Sequence, residues 1–310
     1  MSGNTTNRAI WLGPPDARDA RRPAWLDEQL YPFASQYRDI EGNRVHYIDE
    51  GSGPPLLLLH GNPTWSFLYR DIIKGLRDHF RCVALDYPGF GLSTAAPEYA
   101  FTPAEHARVV ERFMLDLDLS KITVMMQDWG GPIGLGVAGR HPDRFGALVI
   151  GNSWAWPVNG EPRFERFSRF AGGPVGSLLI RHFNAFVNLG IPAGVKRHKP
   201  PQEVMAAYRG PFARRAARRP VHVFPREIIA SRAYLAEVEH GLTRLAHLPA
   251  LITWGDRDDA YGEPERRRFE ALFPRHRTVH LRGAGHFIQE DAADEIVAAI
   301  RDWWEKDVEQ

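Results

Sequence analysis

Residues 121–138, KITVMMQDWGGPIGLGVA, join an apolar run of strand character, a short turn and an apolar helical run. A strand that turns this sharply into a helix needs small residues at the turn, and Gly130 and Gly131 supply them. One side chain then stands exposed above the sheet. The usual occupant of that apex is serine, in the pattern G-x-S-x-G. Here it is a carboxylate, Asp128, followed by the indole of Trp129. A carboxylate nucleophile at this place implies chemistry other than acyl transfer.

The remaining pattern is consistent with this unit. Residues 37–40 and 45–48 flank the turn Glu41-Gly42-Asn43 and read as a hairpin. Residues 56–59 and 82–85 are continuous apolar runs, as strands buried on both faces should be. Further strands are expected at 122–126, 146–151, 250–254 and 277–282, with helical segments between most of them. Alternation of this kind predicts an α/β fold with a mostly parallel, doubly wound sheet and an antiparallel start.

Roughly 80 residues separate the strands at 146–151 and 250–254, too many for one crossover. In that stretch Phe164, Phe167 and Phe170 recur every three residues, with Arg163, Arg166 and Arg169 one step earlier. An amphipathic helix is expected, with an aromatic face in need of a partner. A helical cap over the carboxyl ends of the strands would meet that need and set an apolar roof above Asp128. The expected organisation is a core of residues 1–152 and 230–310, with 1–35 as an N-terminal arm, and a cap subdomain of residues 153–229.

Charge and composition exclude several functions. Lys and Arg number 39 against 38 Asp and Glu, a net charge of +1, so no overall field draws the chain to nucleic acid or anionic lipid. The longest apolar run is too short to span a bilayer, and charges interrupt the N-terminus where a signal core would sit. A single cysteine, Cys82, rules out an internal disulfide and fits a reducing compartment, so a cytoplasmic location is expected. No His, Cys and carboxylate group has metal-ligand spacing. Arg214, Arg215, Arg218 and Arg219 read as a solvated face of a cap helix.

Binding groups of open parallel sheets gather at the carboxyl ends of strands. Four such ends carry polar residues in order: His60-Gly61-Asn62, Asp128-Trp129, Gly255-Asp256-Arg257-Asp258 and Gly283-Ala284-Gly285-His286. An Asp before a helix is often only a cap, but Gly130-Gly131 and Trp129 are not what a cap requires. In the third loop Asp258 and Asp256 both remain candidates for an acid. Of the 13 histidines, His286 follows a tight Gly-Ala-Gly approach, whereas His46, His79, His141 and His276 are expected to face solvent.

At these residues the chain resembles a haloalkane dehalogenase of the α/β-hydrolase superfamily. The likeness runs from about Tyr37 to the C-terminus and is most specific in HGNPTWSFLYR (60–70), DYPGFGLS (86–93), QDWGG (127–131), YRGPF (208–212) and GHFIQED (285–291). The resemblance implies an α/β-hydrolase fold: a mostly parallel eight-stranded sheet flanked by helices, with an inserted helical cap. It implies Asp128 as nucleophile, His286 as base, and Trp129 and Asn62 as halide donors, with their backbone N–H groups as oxyanion donors. Many relatives carry a glutamate acid where this chain has Asn152, so the acid role falls to Asp258. Asn62 with an Asp in that loop is similar to one subgroup of the family.

The implied reaction converts a haloalkane and water to primary alcohol, halide and proton through an alkyl-aspartate ester, with no metal or organic cofactor. A serine would form an ether that water cannot readily cleave, whereas an aspartyl ester has a carbonyl open to attack. The implied partners are a small apolar halogenated substrate, water and halide; no nucleic acid and no membrane are implied, and the Arg/Phe-rich cap offers a surface for a homo-oligomer. Two alternatives stay open. One is an epoxide hydrolase using the same Asp with Tyr208 and Tyr234 as acids. The other is a non-catalytic ligand-binding homologue.

Overall fold

The computed structural model describes residues 22–309. The first 21 residues of the expected N-terminal arm lie outside the described residues, as does Gln310. Eight strands form one sheet: β1 (Gln36–Ile40), β2 (Asn43–Glu50), β3 (Pro55–Leu59), β4 (Arg81–Leu85), β5 (Ile122–Asp128), β6 (Phe145–Ser153), β7 (Ala250–Gly255) and β8 (His276–Leu281). Their spatial order is β1-β2-β4-β3-β5-β6-β7-β8. β1 pairs antiparallel with β2, and β2 antiparallel with β4; the other five pairings are parallel. The antiparallel start and parallel remainder match the sequence expectation, and each predicted strand is present within two residues at either end.

Helices cover both faces of the sheet. In the core these are α1 (Arg70–Leu76), α2 (Pro103–Asp116) and α3 (Gly130–Arg140). Between β6 and β7 come α4 (Pro162–Ala171), α5 (Pro174–Phe183), α6 (Ile191–Gly194), α7 (Gln202–Arg209), α8 (Arg219–Ala230) and α9 (Arg232–Leu242), followed after β7 by α10 (Glu263–Leu272) and after β8 by α11 (Ile288–Trp303). Local chemistry starts several of them. Thr102 and Glu105 form a reciprocal capping box around Pro103, and Pro162 and Pro174 stand in the first turns of α4 and α5, where a missing N–H costs nothing. β3 to β5 are apolar on both faces because helices bury both, and Leu56 to Leu59 have no exposed surface.

The segments after β6 fold back over the carboxyl ends of the strands, held by polar links as well as by packing. Trp65 Nε1 donates to Ala207 O at 3.1 Å, and Asn62 Nδ2 to Val221 O at 3.2 Å. A buried ion pair between α1 and α11 reaches this layer through Tyr208. Arg70 Nη1 and Nη2 reach the two oxygens of Glu290 at 2.6 and 2.8 Å, and the Tyr208 hydroxyl donates to the same carboxylate. A desolvated pair of this kind is stable only while both partners and their remaining hydrogen bonds are present.

The loop after β3 is positioned from below by Asp86. That buried carboxylate accepts from Ser66 N at 2.8 Å, Leu92 N at 2.9 Å and His46 Nδ1 at 2.8 Å. Burial raises its pKa, but the charge and hydrogen bond of His46 more than reverse this and hold it ionised. His46 is therefore fully buried, which corrects the expectation that it faces solvent; its place on β2 points it inward at the acid that ends β4. The α4 helix also departs from expectation. Phe164 is buried, but Phe167 and Phe170 are 45% and 59% exposed, so two thirds of the aromatic face has no cover.

Close packing at the elbow leaves no room for a Cβ at its glycines. One added at Gly130 would lie 2.1 Å from the carbonyl oxygen of Leu59, a backbone atom of the neighbouring strand that cannot move aside. Gly130→Ala is expected to lower unfolding stability by about 1–3 kcal/mol, measured by urea denaturation. An unchanged midpoint would mean that the turn relaxes freely and does not fix the apex.

Candidate active site

Asp128 closes β5 with φ of +51°, in the left-handed region that non-glycine residues rarely adopt. This backbone conformation lifts its side chain off the sheet, and Ser153 Oγ fixes it by donating to the Asp128 carbonyl at 2.7 Å. The two carboxylate oxygens have different surroundings. Oδ1 accepts the backbone N–H of Asn62 at 2.8 Å, and the Trp129 N–H also supports the carboxylate. Oδ2 accepts from the Tyr261 hydroxyl at 3.2 Å and lies 3.8 Å from His286 Nε2. Gly61 permits the approach: a Cβ there would sit 2.3 Å from Oδ1.

His286 Nδ1 meets Asp258 Oδ2 at 2.9 Å. The Asp258 side chain is fully buried and accepts two more hydrogen bonds, from Ala260 N at 2.7 Å and from Asn152 Nδ2 at 2.8 Å. Asp256 lies away from the imidazole and accepts from Gly283 N at 2.7 Å, so it braces the turn that leads to His286. Asn152 also accepts from Gly255 N at 2.8 Å. It thus aims Asp258 across the ends of β6 and β7.

Electrostatics couple the three groups. Burial raises the pKa of Asp128, and the charge of His286 with the Trp129, Asn62 and Tyr261 hydrogen bonds offsets only part of that rise. Burial would likewise raise Asp258, but the charge and hydrogen bond of His286 take it below the ordinary range. For His286, burial lowers the pKa, yet Asp258 and then Asp128 lift it to about 9. One contact acts the other way. Gln127 Nε2 donates to the His286 carbonyl at 3.1 Å, which fixes its amide with N–H also directed at His286 Nε2, 3.1 Å away. Only a neutral imidazole can accept there. Asp258 and Asp128 together favour the cation, whereas Gln127 favours the neutral form; loss of the Asp128 charge would remove the lesser of the two carboxylate supports.

A cavity of about 390 Å³ opens above these groups. Asn62, Trp129, Asp128, Tyr261 and His286 line its floor, and Phe164, Phe167, Phe186, Pro225 and Ile228 its roof and mouth. Few polar atoms in a mostly apolar wall suit a small apolar ligand oriented by its reacting end. The Trp129 ring is set edge-on to Trp154 at 4.6 Å and tilted against Phe224 at 5.1 Å. Asn62 spends one amide N–H on Val221 O and keeps a second. The two early cap tryptophans, Trp154 and Trp156, do not line the cavity. Among the described residues no group of three His, Cys, Asp or Glu could hold a metal ion.

The five residues singled out in the sequence, Asn62, Asp128, Trp129, Asp258 and His286, thus meet around one cavity. The tyrosines named for the epoxide alternative do not. Tyr208 donates to Glu290, and Tyr234 to Pro132 O at 2.9 Å, both outside the cavity. Tyr261 was missed, although it stands three residues after Asp258 in the same loop. Nothing in the sequence says that this loop turns its hydroxyl onto Asp128. The sequence places Gln127 in the turn and gives no sign of its contact with His286.

The Tyr261 hydroxyl stabilises the ionised form of Asp128, so its removal must raise the Asp128 pKa further. In Tyr261→Phe the carboxyl titration, followed by carbon NMR, is expected to move to higher pH. A shift to lower pH, or none, would mean that the hydroxyl does not hold the carboxylate in solution.

Comparison with known proteins agrees with this geometry. The family model described as alpha/beta hydrolase fold matches residues 54–293. Haloalkane dehalogenase 2 of Mycobacterium tuberculosis is 48% identical over 277 residues, 88% of this chain and 96% of that protein. A cis-3-alkyl-4-alkyloxetan-2-one decarboxylase of Shewanella oneidensis is 32% identical over 283 residues, covering 88% and 89%. Among solved structures, haloalkane dehalogenase DbeA from Bradyrhizobium elkani superposes with a TM-score of 0.80 at 26% identity, covering 87% of this chain and 97% of that one. The chain belongs to the alpha/beta hydrolase family and, within it, to the haloalkane dehalogenases.

Proposed function

We propose that this protein hydrolyses haloalkanes to primary alcohol, halide and proton through a covalent ester on Asp128. The observation that carries this reading is the division of the Asp128 carboxylate. Oδ1 is engaged by backbone N–H, while Oδ2 faces an apolar cavity with His286, paired to Asp258, beside it. Residues 153–229 act as the cap that excludes water from this cavity.

In the first step Oδ2 attacks the carbon bearing the halogen, and the carbon–halogen electron pair leaves as halide. The Asn62 amide and the Trp129 indole N–H receive the growing charge in a site shielded from water. In the second step neutral His286 removes a proton from water, and the oxygen adds to Asp128 Cγ. Negative charge collects on Oδ1, where the backbone N–H groups of Asn62 and Trp129 stand. Collapse breaks the Cγ–Oδ2 bond, the alcohol leaves with the proton from His286, and the added hydroxyl gives up its proton to restore the carboxylate. Esterification itself favours the base form, because it removes one of the two carboxylate charges, the second after Asp258, that raise the His286 pKa.

A second reading draws on the decarboxylase relatives and on Tyr261, a hydroxyl donor without an assigned part in halide displacement. Attack of Oδ2 on the ring C4 of an oxetan-2-one would open the C–O bond and leave a carboxylate on the same molecule. Loss of CO₂ with cleavage of the new ester bond would give an alkene and restore Asp128. This sequence consumes no water, so it does not use His286 as a base toward water.

Halide release from 1-bromobutane is expected from the unaltered protein and absent from Asp128→Ala. His286→Phe with the same substrate is expected to show the intact chain plus one butyl group by mass spectrometry. A folded variant that binds substrate but gains no adduct would rule out the ester. Alkene and CO₂ from a cis-3,4-dialkyl-oxetan-2-one, without halide release from haloalkanes, would select the second reading. Asp258→Asn removes the charge that both raises His286 and fixes its tautomer. The second step should slow by roughly 10³–10⁴-fold, and the His286 pKa should fall from about 9. Single-turnover kinetics and histidine NMR titration check the two parts.

A further inference from the structure

All seven large hydrophobic side chains that stand exposed among the described residues fall between positions 167 and 189. The most exposed are Leu189 at 70%, Phe183 at 65%, Phe170 at 59% and Val175 at 56%. They come from α4, α5 and the following one-turn helix Phe186–Gly190, which pack against one another. One surface is therefore apolar where a monomer in water gains nothing by exposing it, and patches of this kind mark interaction sites.

Charge identifies the partner. Residues 153–229 hold thirteen Lys and Arg against four Asp and Glu, a net charge of +9; since the whole chain carries +1, the remainder carries −8. The near-zero total behind the expectation of no attraction to anionic lipid thus hides a strongly basic face. Arg166, Arg169 and Arg181 are exposed on α4 and α5, and Arg215 is exposed on the short helix Arg215–Arg218 that packs against α5. Arg166, Arg169, Phe170, Pro174 and Val175 line one shallow groove, which places guanidinium groups beside apolar side chains. A second copy of the chain would bring +9 against +9, and a nucleic acid would leave the phenylalanines and leucines unburied. An anionic bilayer satisfies both features, with apolar tips among the acyl chains and arginines at the phosphates.

The patch is continuous with the cavity. Phe167 is both part of the exposed surface and part of the cavity wall, and its ring lies 6.2 Å from that of Phe186, another wall residue. We propose that the face formed by α4, α5 and residues 186–190 docks onto anionic phospholipid bilayers, with the cavity mouth turned toward the acyl chains. No described helix is long and apolar enough to cross a membrane, so the contact is peripheral. This inference rests on the surface alone and holds whichever reaction the cavity performs.

The test is sedimentation of the full chain with vesicles, without substrate. Binding is expected to vesicles of phosphatidylcholine and phosphatidylglycerol in equal parts, weakly or not at all to phosphatidylcholine alone, and to weaken as salt is raised. Arg166→Gln and Arg181→Gln should each lower partitioning by about fivefold at low salt. Phe183→Ser with Leu189→Ser should abolish it. None of these residues lines the cavity, and thermal unfolding confirms that each variant is folded. Absence of binding to anionic vesicles at low salt would overturn the proposal, as would equal binding by the Phe183→Ser/Leu189→Ser variant. A stable dimer in lipid-free solution that those two substitutions dissolve would give the surface to a second copy instead.

Discussion

The hydrogen bond from the Asn62 backbone N–H to Asp128 Oδ1 joins two strand ends and sets the rest of the site. It exists because β3 and β5 are neighbours in the parallel sheet, with their carboxyl ends side by side. Asp128 accepts a left-handed backbone to reach it, at a cost of the order of 1–3 kcal/mol. Close packing maintains that conformation. Leu59, the last residue of β3, leaves room only for glycine at 130, and Asp128 itself leaves room only for glycine at 61. The same bond commits Oδ1 to the backbone, while Oδ2 meets the Tyr261 hydroxyl and the His286 imidazole at the cavity floor.

That asymmetry makes the charges of the site interdependent. Three ionisable groups share one buried volume: His286 lowers the pKa of each carboxylate, and both carboxylates raise that of His286. The arrangement suits two consecutive steps with opposite needs. On the proposed mechanism an ionised Asp128 beside a cationic histidine would be the starting pair, and a neutral imidazole would be needed once the carboxylate had become an ester. In that mechanism bond formation at Oδ2 would itself supply the change in charge.

The layer above the strands has a different physical character. It is attached by a few buried polar links, among them the Arg70–Glu290–Tyr208 group and the Trp65 bond to Ala207, while its outer surface carries exposed aromatic and aliphatic side chains among arginines. A core helix would bury such an aromatic face. On α4 only Phe164 finds a partner below, and the turn of the helix carries Phe167 to the cavity mouth and Phe170 beyond it.

Local sequence carried the strands, the elbow and the order of polar strand ends, because period, glycine placement and continuous apolar runs are properties of neighbours along the chain. The choice of Asp258 over Asp256 was not of that kind. Both stand in one loop, and only the pairing of β7 with β6 brings Asn152 to Asp258 and turns Asp256 to Gly283. His46 was misread for the same reason: its burial depends on an aspartate 40 residues away. Tyr261 and Gln127 could not be recognised as part of the site, since a hydroxyl or amide acquires its role from the distant atom it faces. Residue types and their spacing determined the kind of chemistry this chain could carry. Tertiary structure decided which polar groups meet, which oxygen of Asp128 lies beside His286, and which aromatic residues remain without cover, because burial, charge coupling and hydrogen-bond partners all depend on separations in space.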